Sequence, residues 1–191
     1  MVESSYTTSI TIKDIESMEA RGIICEIVNG QWVEASEEKM AGELHGAIAT
    51  NLIIALGSYV KTHGLGRVYP ADTTYILEED KDGVQLMLLP DMSFVAADRV
   101  KTHDRGTYYQ FAPDLAIEII SPSERAVTMR AKLKDYLRTG VRQVWQVYPQ
   151  TQEVVVYLAD GTVRTYGIGQ TIPGDELLPG FALQVADVFA V

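Results

Sequence analysis

Cysteine is nearly missing from this chain: Cys25 is the one example in 191 residues. No disulfide can close within the chain, and a reducing compartment is the expected home. Long apolar runs are missing as well. Stretches such as Leu52 to Leu56 and Leu86 to Leu89 fall far short of the roughly 20 residues that cross a bilayer, so no membrane association is expected. Positive charge is scarce, with 16 Lys and Arg against 26 Asp and Glu for a net charge of −10. The field of the whole molecule therefore repels nucleic acid and anionic lipid, and any phosphate-binding role must be local. The opening residues Met1 to Asp14 are polar and acidic, unlike a secretory signal. A cytoplasmic chain is expected, and it shows no repeat, linker or low-complexity segment.

What remains is a globular composition, 47% hydrophobic and 22% charged, long enough to bury a core. Thr11 or Ser9 is placed to cap a short helix carrying Ile12, Ile15 and Met18, stopped at Gly22. Residues 23–28 and 31–35 flank Asn29-Gly30, the dipeptide that suits a tight hairpin turn. From about Glu38 to His63, Ala41, Leu44, Ile48, Leu52, Leu56 and Tyr59 recur at helical spacing, and Gly64 ends the run. Strands are expected over 67–69, 73–77, 84–89 and 92–96, with an acidic turn at 78–83 and a polar loop at 98–112. Leu115 to Ile120 reads as a central strand buried on both faces. A helix follows at 124–138, then strands at 143–148, 153–158 and 162–166. This order predicts an α/β fold, a central mixed sheet flanked by helices with hairpin additions. One domain is expected over 1–191: an N-terminal helix and hairpin at 1–36, a core at 37–148, and a C-terminal hairpin and tail at 149–191.

Glu118 is the sharpest polar signal, set inside Leu115-Ala116-Ile117-Glu118-Ile119-Ile120. A carboxylate there needs a cation, a donor or a partner acid to stay charged. Asp91, between Pro90 and an apolar strand, is the natural partner, since acids on neighbouring strands can converge. Asp114 shares the strand face of Glu118 but sits about 13 Å away along one extended strand, too far to share a cation with it. A structural role, in which Asp91 caps a turn and Glu118 pairs with an arginine, is the competing reading. The helix after Glu118 holds the basic residues. Residues 124–142 carry six Lys and Arg against two acids, a local charge of +4. Met129, Leu133, Tyr136 and Leu137 form its core stripe, with Lys132 flanking it and facing back toward Glu118. Arg130, Lys134 and Arg138 step by four along another edge, which also suits a merely solvated face. His45 beside its apolar stripe reads first as a packing residue. Glu26 is either an outward strand residue or a further acid reaching the site. His63 and His103 have no zinc-ligand spacing.

The order Glu26-Ile27-Val28-Asn29-Gly30, His45, Pro90-Asp91, Pro113 to Ser123, Lys132, Tyr136 and Gly140-Val141 resembles the Uma-two family of the PD-(D/E)xK superfamily. The resemblance implies a restriction-endonuclease-like core. The superfamily's lysine normally follows the third acid by two residues. Ile120 stands there in this chain, and the resemblance implies that Lys132 supplies the amine from the next helix. Thr128 stands where the family commonly has an acid. Gln143-Val144-Trp145 and Val147-Tyr148-Pro149 replace its usual Glu-Tyr-Trp and Val-Asp-Pro.

The implied activity is metal-dependent hydrolysis of nucleic-acid phosphodiesters, with DNA the expected substrate. Asp91, Glu118 and the Ile119 carbonyl would hold Mg²⁺ or Mn²⁺. Lys132 would orient water or stabilise phosphoryl charge, and His45 or Glu26 would complete the site. Arg130, Lys134 and Arg138 would attract the backbone without reading bases. A homodimer is expected. The alternative is an inactive relative that serves as a binding or assembly module.

Overall fold

The structure is a computed structural model that describes residues 9–34, 42–102 and 108–191. The expected hairpin end at Ala35, the helix start at Glu38 with Ala41, and His103 lie outside the described residues. Helix α1 (Ile12–Ala20) starts at a capping box. The Asp14 amide donates to Thr11 Oγ1 at 3.3 Å, and the Thr11 amide donates to the Asp14 carboxylate at 2.8 Å. Strands β1 (Cys25–Val28) and β2 (Gln31–Glu34) form the hairpin, with Asn29 and Gly30 at φ of 53° and 67°, as a two-residue turn requires. Helix α2 (Glu43–His63) buries Ile48, Leu52, Leu56 and Val60, one residue per turn, and closes on Gly64 at φ 62°.

Strands β3 (Gly66–Pro70), β4 (Tyr75–Asp80), β5 (Gly83–Leu88) and β6 (Met92–Ala96) follow, then a short helix α3 (Ala97–Thr102). Strand β7 (Leu115–Ile119), buried at every position, leads into α4 (Ala126–Arg138). Strands β8 (Gln143–Tyr148), β9 (Glu153–Leu158) and β10 (Val163–Tyr166) come next. The tail adds β11 (Thr171–Pro173), β12 (Ala182–Gln184) and helix α5 (Val185–Val188).

A six-stranded sheet runs β10-β9-β8-β7-β6-β3, mixed because β7 and β8 are parallel while the other neighbours are antiparallel. This is the expected mixed α/β core. The strands do not all join it. A second, four-stranded sheet runs β2-β1-β5-β4, so the N-terminal hairpin pairs with the hairpin of residues 75–88, and β11 and β12 form a small third sheet. Two local expectations also shift. Glu78 to Asp80 belong to β4, and the turn narrows to Lys81-Asp82 before Gly83 at φ 97°; the polar segment after 97 begins as a helical turn.

Period-2 alternation divides β7 between two layers. Leu115, Ile117 and Ile119 pack with Ile48, Leu52 and Leu56 of α2 and with Trp145 and Val147 of β8. Ala116 points the other way, into a cluster of Tyr136 from α4 with Leu86 and Leu88 from β5. Glu118 shares that second face, between the large sheet, α4 and the four-stranded sheet. Among the described residues, no helix is long and apolar enough to cross a membrane.

Candidate active site

Glu118 is 3% exposed, so its charge depends on what surrounds it. Helix α4 answers with three inward residues at spacings of three and four, Met129, Lys132 and Tyr136. Lys132 Nζ lies 2.8 Å from Glu118 Oε1, and the Tyr136 hydroxyl donates to the same oxygen at 2.6 Å. Glu26 comes in from β1, with its Oε1 2.7 Å from Lys132 Nζ. The same oxygen accepts the Leu89 amide at 3.1 Å. Glu26 is therefore an inward acid, and it ties the four-stranded sheet to the helix lysine and to the chain just ahead of Pro90. The ammonium sits within hydrogen-bond distance of both carboxylates. Charge and hydrogen bonding from both acids hold the lysine.

Burial alone would lower the Lys132 pKa. The carboxylates of Glu118 and Glu26 more than reverse this and hold its pKa above the ordinary lysine value. Burial, then the charges of Glu118 and Glu26, push the Tyr136 phenol well above its ordinary value. Both groups thus remain proton donors.

The second half of the site lies one residue along. Antiparallel register pairs Met92 with Ile117, which sets Asp91 beside Glu118 across the strand gap. Asp91 Oδ2 accepts the Ile119 amide at 2.7 Å and lies 3.3 Å from His45 Nε2, in the first turn of α2. Burial pushes the Asp91 carboxyl up. The His45 and Ile119 hydrogen bonds and the positive charges of His45 and Lys132 outweigh it, and the group titrates below the usual carboxylate range. The His45 imidazole moves the opposite way. Its bond to Asp91 raises it, burial opposes, and the charges of Asp91, Glu124 and Glu118 add to the rise. The two halves thus share one electrostatic environment.

The chain brings Asp91, Glu118, Lys132, His45 and Glu26 to one end of the β6–β7 pair, and Ile119 joins through its amide. Asp114 does not join them. It closes the opposite end of β7, 3.1 Å from Arg99 Nη1 and accepting the Ala96 amide at 2.8 Å. The helix ladder divides. Arg130 and Lys134 are exposed, whereas Arg138 is bound to Asp135 at 2.8 Å and to Glu78 of β4. Sequence reasoning missed Tyr136 as a site residue, because an aromatic in a core stripe carries no mark of where its hydroxyl points. It also missed Gln146, 4% exposed and in register beside Glu118, which accepts the Tyr148 hydroxyl at 2.8 Å.

Among the described residues, no three His, Cys, Asp or Glu side chains gather into a metal cage. That donor set still suits Mg²⁺. The ion is usually held by one or two carboxylates and completes its shell with water and substrate phosphate. Asp91, Glu118, Glu26 and Lys132 together carry a net charge of −2, or −1 with His45 protonated, and a dication offsets it.

The family model described as "Uma2: Putative restriction endonuclease" matches residues 12–186 of the chain. No curated protein matches it. Among solved structures, the chain is similar to a "putative nuclease belonging to DUF820" from Anabaena variabilis, with a TM-score of 0.77 and 20% identity. The match covers 95% of this chain and 98% of that one. At that identity the likeness carries the fold.

Proposed function

Since the chain belongs to the Uma2 family, whose description reads "Putative restriction endonuclease", we propose that it hydrolyses phosphodiester bonds of nucleic acid, DNA in the first instance. The observation that carries this reading is the convergence of two acids, one of them almost wholly buried, on a lysine supplied from the following helix. Asp91, Glu118 and the Ile119 carbonyl would hold Mg²⁺ or Mn²⁺. When bound, the cation supplies Lewis acidity toward a phosphoryl oxygen and lowers the pKa of a coordinated water.

The chain's own residues do the rest. Lys132 is held as an ammonium, so it serves as a fixed positive charge toward a phosphoryl oxygen or a leaving group rather than as a base. Glu26 keeps that ammonium in place. His45 donates toward Asp91 and restrains its carboxylate. Arg130 and Lys134 draw in the phosphate backbone, and Arg138 braces α4 against β4. We further propose that it acts in the cytoplasm as a homodimer.

The test is incubation of supercoiled plasmid with purified protein and Mn²⁺ or Mg²⁺. The parent is expected to nick, and Lys132→Ala to nick roughly 10²- to 10³-fold more slowly, the usual loss for one preorganised donor. Undiminished nicking by Lys132→Ala would remove the lysine from the reaction. No nicking by the parent would favour the inactive binding module, a reading supported by the net charge of −10.

A further inference from the structure

We propose that Tyr136 is a positioning residue of this site, fixing the carboxylate of Glu118 in the orientation in which it would hold the cation. This rests on the nuclease reading above and deepens it.

The geometry is specific. The Tyr136 ring is fully buried in the cluster of Ala116, Val141, Val144, Leu86 and Leu88, so the phenol cannot swing away. Its hydroxyl donates to Glu118 Oε1 at 2.6 Å, and that oxygen is also the one 2.8 Å from Lys132 Nζ. One turn of α4 thus sets two donors four residues apart on one carboxylate oxygen. A lysine amine on a flexible stem with rotating protons restrains that oxygen loosely. The phenol, on a ring locked by packing, supplies the directional restraint. Carboxylates that ligate metals are commonly held in this way by a neighbouring donor, and losing the donor typically weakens cation affinity or activity 10- to 100-fold. Ring packing needs only a phenyl group, so apolar burial does not explain the hydroxyl at this position.

The experiment compares parent and Tyr136→Phe, which keeps the ring. Mn²⁺ affinity is read by calorimetry, and plasmid nicking is resolved into kcat and KM. We expect unchanged thermal unfolding within a few degrees, Mn²⁺ binding roughly 10- to 100-fold weaker, and a lower kcat at unchanged KM for DNA. A second measurement needs no variant and no turnover. In the parent, adding Mg²⁺ should shift the Tyr136 ring and hydroxyl proton resonances. The Tyr59 ring, whose hydroxyl bonds Pro179 O at 2.7 Å on the far reach of α2, should stay still. Equal Mn²⁺ affinity and kcat in Tyr136→Phe, or Tyr136 resonances indifferent to Mg²⁺ in a parent that binds it, would overturn the positioning role alone. A parent that binds neither cation overturns the nuclease reading and the positioning role together.

Discussion

Lys132 carries a positive charge in a place where burial opposes it, and it lies between the carboxylates of Glu26 and Glu118. Removing the amine leaves Glu26 and Glu118 facing each other with no cation between them. Breaking a buried ion network from one side costs about 3–5 kcal/mol, because the remaining charges stay desolvated. Metal-free Lys132→Met should lose stability on that scale in urea unfolding. Neutralising one acid as well, in Glu26→Gln/Lys132→Met, should return part of it. A single variant as stable as the parent would mean that the acids are not ionised together.

The His45–Asp91 pair makes a pH prediction. His45 is raised above 6.5, so its contribution is complete below that value and fades as pH rises through the elevated one. Asp91 is lowered from 3.8, so its contribution is complete above that value and is lost as pH falls through the depressed one. The pair stabilises the metal-free chain fully between about pH 3.8 and 6.5. NMR titration of the His45 ring should report a pKa above 6.5 that falls back in Asp91→Asn. At this scale the sequence was half legible. Glu118 and Asp91 declare themselves as acids against apolar strands, but Glu26 sits in ordinary alternation, and only tertiary packing turns it toward Lys132.

Helices and strands were readable where a local rule governs them. The Thr11 cap of α1, the Asn29-Gly30 turn, the Ile48, Leu52 and Leu56 part of the α2 stripe and the unbroken apolar run of β7 are each written in nearby residues, whereas Leu44, read into that stripe, is exposed and Val60 takes its place. The division of strands between two sheets is not, because β1 finds β5 across some 60 residues with register Ile27 to Met87, and nothing near Ile27 specifies that partner. Glu78 to Asp80 misled for a related reason: acids suggest a turn, yet on β4 they have solvent and Arg138 to face. The α2 stripe supports a quantitative prediction. Leu52 is fully buried against the large sheet, so Leu52→Ala should cost about 2–5 kcal/mol in chemical denaturation. A loss under 1 kcal/mol would place the α2 face outside the core. Helix α4 gives another. Arg130→Ala and Lys134→Ala should each lower the salt dependence of DNA binding by about one counterion. Arg138→Ala should change it less, since its guanidinium is already shared by Glu78 and Asp135. Equal slopes for all three would deny the division of that helix edge.

The whole molecule is acidic, and its six basic residues over 124–142 stand against a charge of −14 on the remainder. On the proposed reading DNA would be drawn chiefly to this segment, and affinity should fall steeply between low and physiological salt. The dication proposed at the junction of the two sheets would offset part of the local negative charge there. Each layer contributes: Glu26 from the four-stranded sheet, Asp91 and Glu118 from the six-stranded one, Lys132 and Tyr136 from α4, and His45 from α2. Calorimetric titration of the metal-free protein with Mn²⁺ tests this convergence most directly. The account predicts binding heat in the parent that disappears in Asp91→Asn, with both proteins equally folded. Heat that persists undiminished in Asp91→Asn, or no heat in the parent, would contradict it.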